Sequence, residues 1–190
     1  SFVLVLARSL ASSCDSVFGD DSSGGGTPLV DPVAENPDPL LSEGRERYRF
    51  DTFGDEAFWG GALRLHEAIA GAALGGTGPG PSPSQALPAG LKVDSEALGS
   101  DLRAALLAGQ VDLDDPATTL ELLRRDAVLG VKGIFDVTDT LTSVGIQCAL
   151  CHSTVDDSFS PGLGLRRDGW ANRDLDAGAM LGLAPDLSPV

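Results

Sequence analysis

Cys148-Ala149-Leu150-Cys151-His152 is the stretch from which this chain is best read. It matches C-x-x-C-H, the pattern at which a c-type haem is attached. Two thiols add to the two vinyl groups of the porphyrin, and the two intervening residues set their reach. Residues three apart share a face of a helical turn, so both sulfurs can meet one porphyrin edge. The next residue, His152, then offers an imidazole nitrogen to the iron. The chain contains three cysteines and two histidines, so chance clustering is a poor account of this motif. A thioredoxin-like C-x-x-C would sit in a βαβ pattern, and none surrounds it. A zinc site would want a further Cys or His, and the remaining histidine, His66, lies far upstream. A buried thiol pair or a disulfide is the plain alternative.

The 190 residues have room for one domain, with a small accessory lobe at most. Hydrophobic residues at 42% suffice for a core, whereas aromatic residues at 5% leave the packing largely to aliphatic side chains. The formal charge of −15 disfavours nucleic acid, whose phosphates need a basic surface. It favours steering of a basic protein partner. No run approaches the roughly 20 apolar residues of a membrane span. The first 14 residues, SFVLVLARSLASSC, look like the remnant of an export signal, with Phe2 to Ala7 apolar and small residues before Cys14. Cys14 is a candidate lipidation site, with an ordinary unpaired cysteine as the alternative. Residues 15–36 are rich in Gly, Ser, Pro and Asp and read as a flexible tether.

From residue 37 the patterns become helical. A short helix is expected over Leu40 to Tyr48. A stronger one is expected over Asp55 to Ala73, where Phe58, Ala62, Leu65, Ile69 and Ala73 recur at helical spacing and His66 flanks the stripe. Gly75 to Gly90 reads as a loop. Helices follow near Ser95 to Leu98 and over Asp101 to Ala108, the latter stopped by Gly109. Asp115-Pro116 is a helix start, with Asp as cap and Pro in the first turn. Val131 to Ile146 is rich in β-branched residues and broken at Thr138-Asp139, which predicts a small hairpin leading into the motif. Ser158 to Asp168 reads as loop, and Asn172 to Leu183 as loop and then helix. These patterns predict a mainly α protein. Residues 37–130 would form an accessory helical region and residues 131–190 the haem-bearing domain.

The segment around the motif, LTSVGIQCALCHSTVDDSF with DGWANRDLDAGAM and LAPDLSPV downstream, resembles the c-type cytochromes. Arg47 to Ile69, RYRFDTFGDEAFWGGALRLHEAI, is similar to the amino-terminal part of larger exported bacterial cytochromes, some of them di-haem proteins of the cytochrome c peroxidase type. The resemblance implies a small cytochrome c-like domain over residues 131–190, incomplete if the chain is part of a longer one. It implies one covalent haem, electron exchange with a redox partner, and location outside the cytoplasm, in the periplasm or tethered to a membrane through Cys14. A non-enzymatic electron carrier is the first expectation. A peroxidase-like enzyme, or a fragment of one, is the second.

Haem needs apolar walls, and Ile146, Leu150, Phe159 and Leu163 are near in sequence. Its propionates favour cationic or N–H donors, which makes Arg166, Arg167, Trp170 and Arg173 candidates, with solvated surface arginines as the alternative. Cys148, Cys151 and His152 are the attachment residues. The sixth iron ligand stays open: Met180, the only methionine, and His66 are candidates, as are a residue beyond Val190 and an open position. The second ring nitrogen of His152 is expected to donate to a carbonyl or carboxylate, with the Ser160–Gly164 loop near in sequence. The acidic residues form no specific catalytic pair.

Overall fold

The hairpin predicted over Val131 to Ile146 lies at the centre of the computed structural model, which describes residues 37–190. The export signal, the tether and Cys14 lie outside the described residues. Strand β2 (Val131–Phe135) pairs antiparallel with β3 (Leu141–Ile146), in a register that sets Val131 opposite Ile146 and Gly133 opposite Val144. Alternation sends Val131, Val144 and Ile146 inward, all below one-tenth exposed. The turn is built by Asp136, whose Oδ1 accepts from the backbone N–H of Thr138 (2.8 Å) and Thr140 (3.0 Å). Asp139 takes a left-handed φ of 64°.

Helices pack on this hairpin. Helix α1 (Pro37–Phe50) matches expectation, but buries no residue and is held by its last turn. The single helix expected over Asp55 to Ala73 is instead three pieces: a π-helix (Ala57–Ala62), α2 (Leu65–Ala70) and a 3-10 turn (Ala72–Leu74). The breaks have local causes. Arg64 adopts φ 52° and Gly71 φ 69°, both outside the helical region. Gly60 presses so closely on β3 that an added Cβ would stand 1.9 Å from Ser143 Oγ. The Asp55 carbonyl accepts from Phe58 N (2.9 Å) and Trp59 N (3.0 Å) at the start of the π-helix, while its carboxylate accepts from Ile146 N (3.1 Å) and Trp59 Nε1 (2.6 Å) and so ties that start to β3. Tertiary contact thus overrides the helical period.

Gly75 to Gly90 is mostly loop, with one short helix, α3 (Pro83–Ala86). Ser95 to Leu98 is a turn, and α4 (Gly99–Leu107) follows, ending at Gly109 with φ 65°. Helix α5 (Pro116–Arg124) starts as predicted: Asp115 caps it through Ala117 N at 2.8 Å, and Leu120, Leu122 and Leu123 are buried. Beyond β3 come α6 (Ala149–His152), β4 (Ser153–Val155), β5 (Leu163–Gly164), β6 (Arg166–Asp168) and α7 (Ala177–Leu181). Strand β5 pairs parallel with β1 (Val93–Asp94), and β4 antiparallel with β6.

Three expectations are corrected here. The protein is a mixed α/β fold and not mainly α. After Val131 the described chain is strand, turn and two helices of one turn or little more, which is not a small helical cytochrome c domain. Ser158 to Asp168, expected as loop, supplies β5 and β6. These strands are too short to show alternation. They are held by carboxylates in the connecting turns: Asp156 accepts from Leu165 N (2.8 Å) and Asp157 from Gly162 N (2.7 Å). One core runs from Leu63 to Ala184, so residues on both sides of position 131 share it. Asp38 to Val190 forms one compact unit. Among the described residues no helix is long and apolar enough to cross a membrane.

Candidate functional site

The C-x-x-C-H stretch occupies the single turn α6 and the residue before it. Cys148 has helical dihedrals, His152 N donates to the Cys148 carbonyl at 3.3 Å, and Ser153 leaves the turn in extended conformation. The two spacer residues face inward: Ala149 is fully buried and Leu150 is 7% exposed. Cys148 is half-buried, and Cys151 and His152 are exposed. Both thiols are free. The turn therefore anchors itself by its spacers and presents two sulfurs and an imidazole outward, as residues i, i+3 and i+4 of one helical face.

Its seat is shaped by Gly130. With φ 80°, this glycine lies so close that a Cβ on it would stand 2.1 Å from Leu150 Cα. The Gly130 carbonyl accepts from Gln147 N at 3.0 Å. A helix end leaves its last carbonyls without intrahelical partners. Here the segment Gly169 to Asn172 satisfies them. Gly169 N donates to the His152 carbonyl (2.8 Å) and Asn172 N to the Cys151 carbonyl (2.9 Å). Asn172 Nδ2 donates to the Leu150 carbonyl (3.2 Å) and to the Gly90 carbonyl (2.9 Å). The Tyr48 hydroxyl, from the last turn of α1, donates to the His152 carbonyl.

Two aromatic side chains stand in solvent on segments bonded to the motif. Trp170 lies between Gly169 and Asn172 and is 68% exposed. Phe53, whose N–H donates to the Ile146 carbonyl (3.0 Å), is 67% exposed. Sequence reading found Trp170 from its proximity but missed Phe53 and Tyr48, which are about 100 residues upstream and arrive only through the pairing of Thr52 with Gln147.

Below the turn lies a charged network centred on Asp168. Its carboxylate accepts from Arg49 Nε (2.6 Å), Arg166 Nε (2.6 Å) and Ser153 Oγ (2.9 Å). Burial pushes this carboxyl up, but the hydrogen bonds from Arg166, Ser153 and Arg49 outweigh it and hold the group below its ordinary value. Asp94 behaves in the opposite way. It is 7% exposed, and burial raises its carboxyl against the opposing pull of the Glu96 N–H and of the charges on Arg166 and Arg49.

The arginines proposed for propionates separate. Arg166 points inward, with 4% of its side chain exposed, and is committed to Asp168, though its buried Nη2 has no partner. Arg167 pairs with Asp156 at 3.0 Å. Arg173 is exposed next to Asn172. Met180 is half-buried on α7 and packs against the main core, and the apolar cavity it lines does not include Cys148, Cys151 or His152 among its walls. His66 sits on α2, with its Nδ1 buried and unpartnered. Neither candidate sixth ligand is brought to the motif by a described contact. The Ser160–Gly164 loop does not serve His152, because it is engaged elsewhere: Gly162 O accepts from Val93 N and Gly164 O from Ser95 N. Among the described residues no group of three or more His, Cys, Asp or Glu converges to hold a metal ion.

The fold and site thus define a small mixed α/β protein with a C-x-x-C-H turn at its surface. No family model matches the chain, and neither a curated protein nor a solved structure shows significant similarity to it.

Proposed function

We propose that this chain is a c-type haem protein, bound covalently through Cys148 and Cys151, that carries electrons. The observation that carries the reading is the α6 turn itself. Its two free thiols and its imidazole project from one face, while the two spacers are buried. The donor set fits the group: Cys148 and Cys151 would hold it at the C-x-x-C spacing, and His152 directly after them would offer an imidazole nitrogen to the iron. When bound, a haem supplies one-electron chemistry between ferric and ferrous iron.

The protein's own residues have defined tasks in this reading. Cys148 and Cys151 would each add S–H across a vinyl C=C of the porphyrin, the sulfur bonding one carbon and the hydrogen ending on the other as the π bond is lost. His152 would offer one imidazole nitrogen to the iron. The bonds from Gly169, Asn172 and Tyr48 hold its backbone in place and so limit the orientations of its ring. Trp170 and Phe53 offer apolar surface beside the turn, and covering them removes that surface from water. Arg173 is the arginine free to meet a propionate, and Arg166 retains one unused donor. A cofactor-attachment reaction outside the cytoplasm, and a basic protein partner attracted by the net charge of −15, belong to the same proposal.

Expression together with haem-attachment machinery, followed by denaturing electrophoresis with a haem stain, tests the reading. The wild type should retain haem through denaturation, and the double variant Cys148→Ala/Cys151→Ala should lose it. A wild-type chain that never acquires covalent haem overturns the proposal. Reversible reduction without peroxide turnover supports a carrier, whereas peroxide turnover by the loaded protein would replace it with the peroxidase-like alternative.

A further inference from the structure

Away from the motif, an apolar cavity of about 580 Å³ enters the core. Its buried floor includes Ile69, Leu123 and Val131, each below one-tenth exposed, and its exposed rim includes Thr77, Gln85 and Leu183. None of the residues that line it is charged, and none is aromatic. In a chain with 41 charged side chains, 13 basic and 28 acidic, that selection is specific. Pockets for small ligands run from about 300 to 1,000 Å³ and are mostly apolar. The cavity opens to solvent through this rim, so a ligand can enter it, and covering its apolar walls would remove them from water.

We infer that the cavity binds a neutral aliphatic chain. Aliphatic walls of Leu, Ile, Val, Met and Pro suit methylene groups, and the absence of aromatic rings and cations in the lining offers neither stacking for an aromatic ligand nor pairing for an anion. The Thr77 hydroxyl and the NH2 of Gln85, whose Oε1 already accepts from Ser82 N at 3.1 Å, suit an uncharged polar end such as an alcohol. This inference does not rest on the haem reading, since none of the attachment residues lines the cavity.

Calorimetric titration of the full chain with 1-dodecanol tests it, using wild type with haem attached and the haem-free Cys148→Ser/Cys151→Ser variant. Both should bind one equivalent, with a negative heat-capacity change. Ala179→Trp, at an exposed lining position on α7, and Ala68→Leu, at a buried one on α2, should each weaken binding at least tenfold. Val137→Trp, at the exposed hairpin tip, should leave it unchanged. Ala68→Leu should also raise the denaturation midpoint of the unliganded chain, by filling the void. No saturable binding in either form overturns the inference, as does binding that survives both cavity substitutions. Binding by the haem-free form that disappears when haem is attached also overturns it, because the cavity would then belong to haem. A missing haem stain alone counts against the haem proposal and not against this one.

Discussion

Gly130 and Leu150 meet backbone to backbone: a Cβ on the glycine would stand 2.1 Å from the leucine Cα. This contact seats the C-x-x-C-H turn on the hairpin, and the φ of 80° at Gly130 is unfavourable for any residue with a side chain. Gly130→Ala is therefore expected to cost about 2–4 kcal/mol, from backbone strain and overpacking together. Urea denaturation measures it. A midpoint equal to wild type would show that the turn can shift without loss.

Asn172 bridges the Leu150 and Gly90 carbonyls through one amide nitrogen. Asn172→Ala leaves both carbonyls without this donor in a part-buried place, at an expected cost of about 1–3 kcal/mol. Hydrogen exchange at the Leu150–Ser153 amides should speed up more than at the β2–β3 amides. Uniform acceleration would mean that the amide supports the whole fold and not the turn.

The carboxyls of Asp168 and Asp94 are shifted in opposite directions. The folded carboxyl of Asp168 lies below its unfolded value, so the stability it contributes is present above about pH 4 and is lost as pH falls through the folded value. Asp168→Asn should flatten the fall in urea midpoint between pH 5 and about pH 3. An unchanged slope would remove Asp168 as the acid-sensitive group.

The folded carboxyl of Asp94 lies above its unfolded value, so it favours folding when protonated and opposes it as pH rises through the folded value. An asparagine at this position can still accept from Glu96 N, as Asp94 Oδ1 does at 2.9 Å. Asp94→Asn should raise the thermal midpoint at pH 7, with a smaller gain at pH 4. A lower midpoint at pH 7 would mean that attraction to Arg166 and Arg49 exceeds the penalty of burial.

With haem attached, the field of an acidic chain favours the ferric state. At an effective dielectric near 20, a carboxylate about 10 Å away is worth roughly 1–2 kcal/mol before screening. Added salt should therefore raise the reduction potential, as potentiometry over a range of ionic strength would show. A potential that falls with salt contradicts the charge argument. His152→Ala should keep the covalent attachment but lose low-spin ligation, and an unchanged spectrum would remove His152 as the ligand.

Some of this was legible in residue order. The α5 start at Asp115-Pro116, the hairpin of Val131 to Ile146 and the stop at Gly109 rest on caps, alternation and left-handed glycine, all of which act within a few residues. The failures share one cause. The stripe from Phe58 to Ala73 has helical spacing, yet Gly60 is spent on contact with Ser143 and Asp55 on Ile146. Strands β5 and β6 carry no pattern of their own and exist through partners 70 residues upstream and 13 or so residues back.

By itself the sequence determined which groups make up the candidate site, because two thiols and an imidazole at fixed spacing on one turn need no distant residue to be recognised. It also determined the acidic character and the local starts and stops of helices. Only the tertiary structure decided that Arg166 turns inward to Asp168, that Met180 joins an apolar cavity without the motif residues, and that Tyr48, Phe53 and Trp170 gather near the turn. The physical reason is range. Covalent spacing and backbone dihedrals act over neighbouring residues, whereas burial and the pairing of charge are properties of surfaces that form only when segments a hundred residues apart come together.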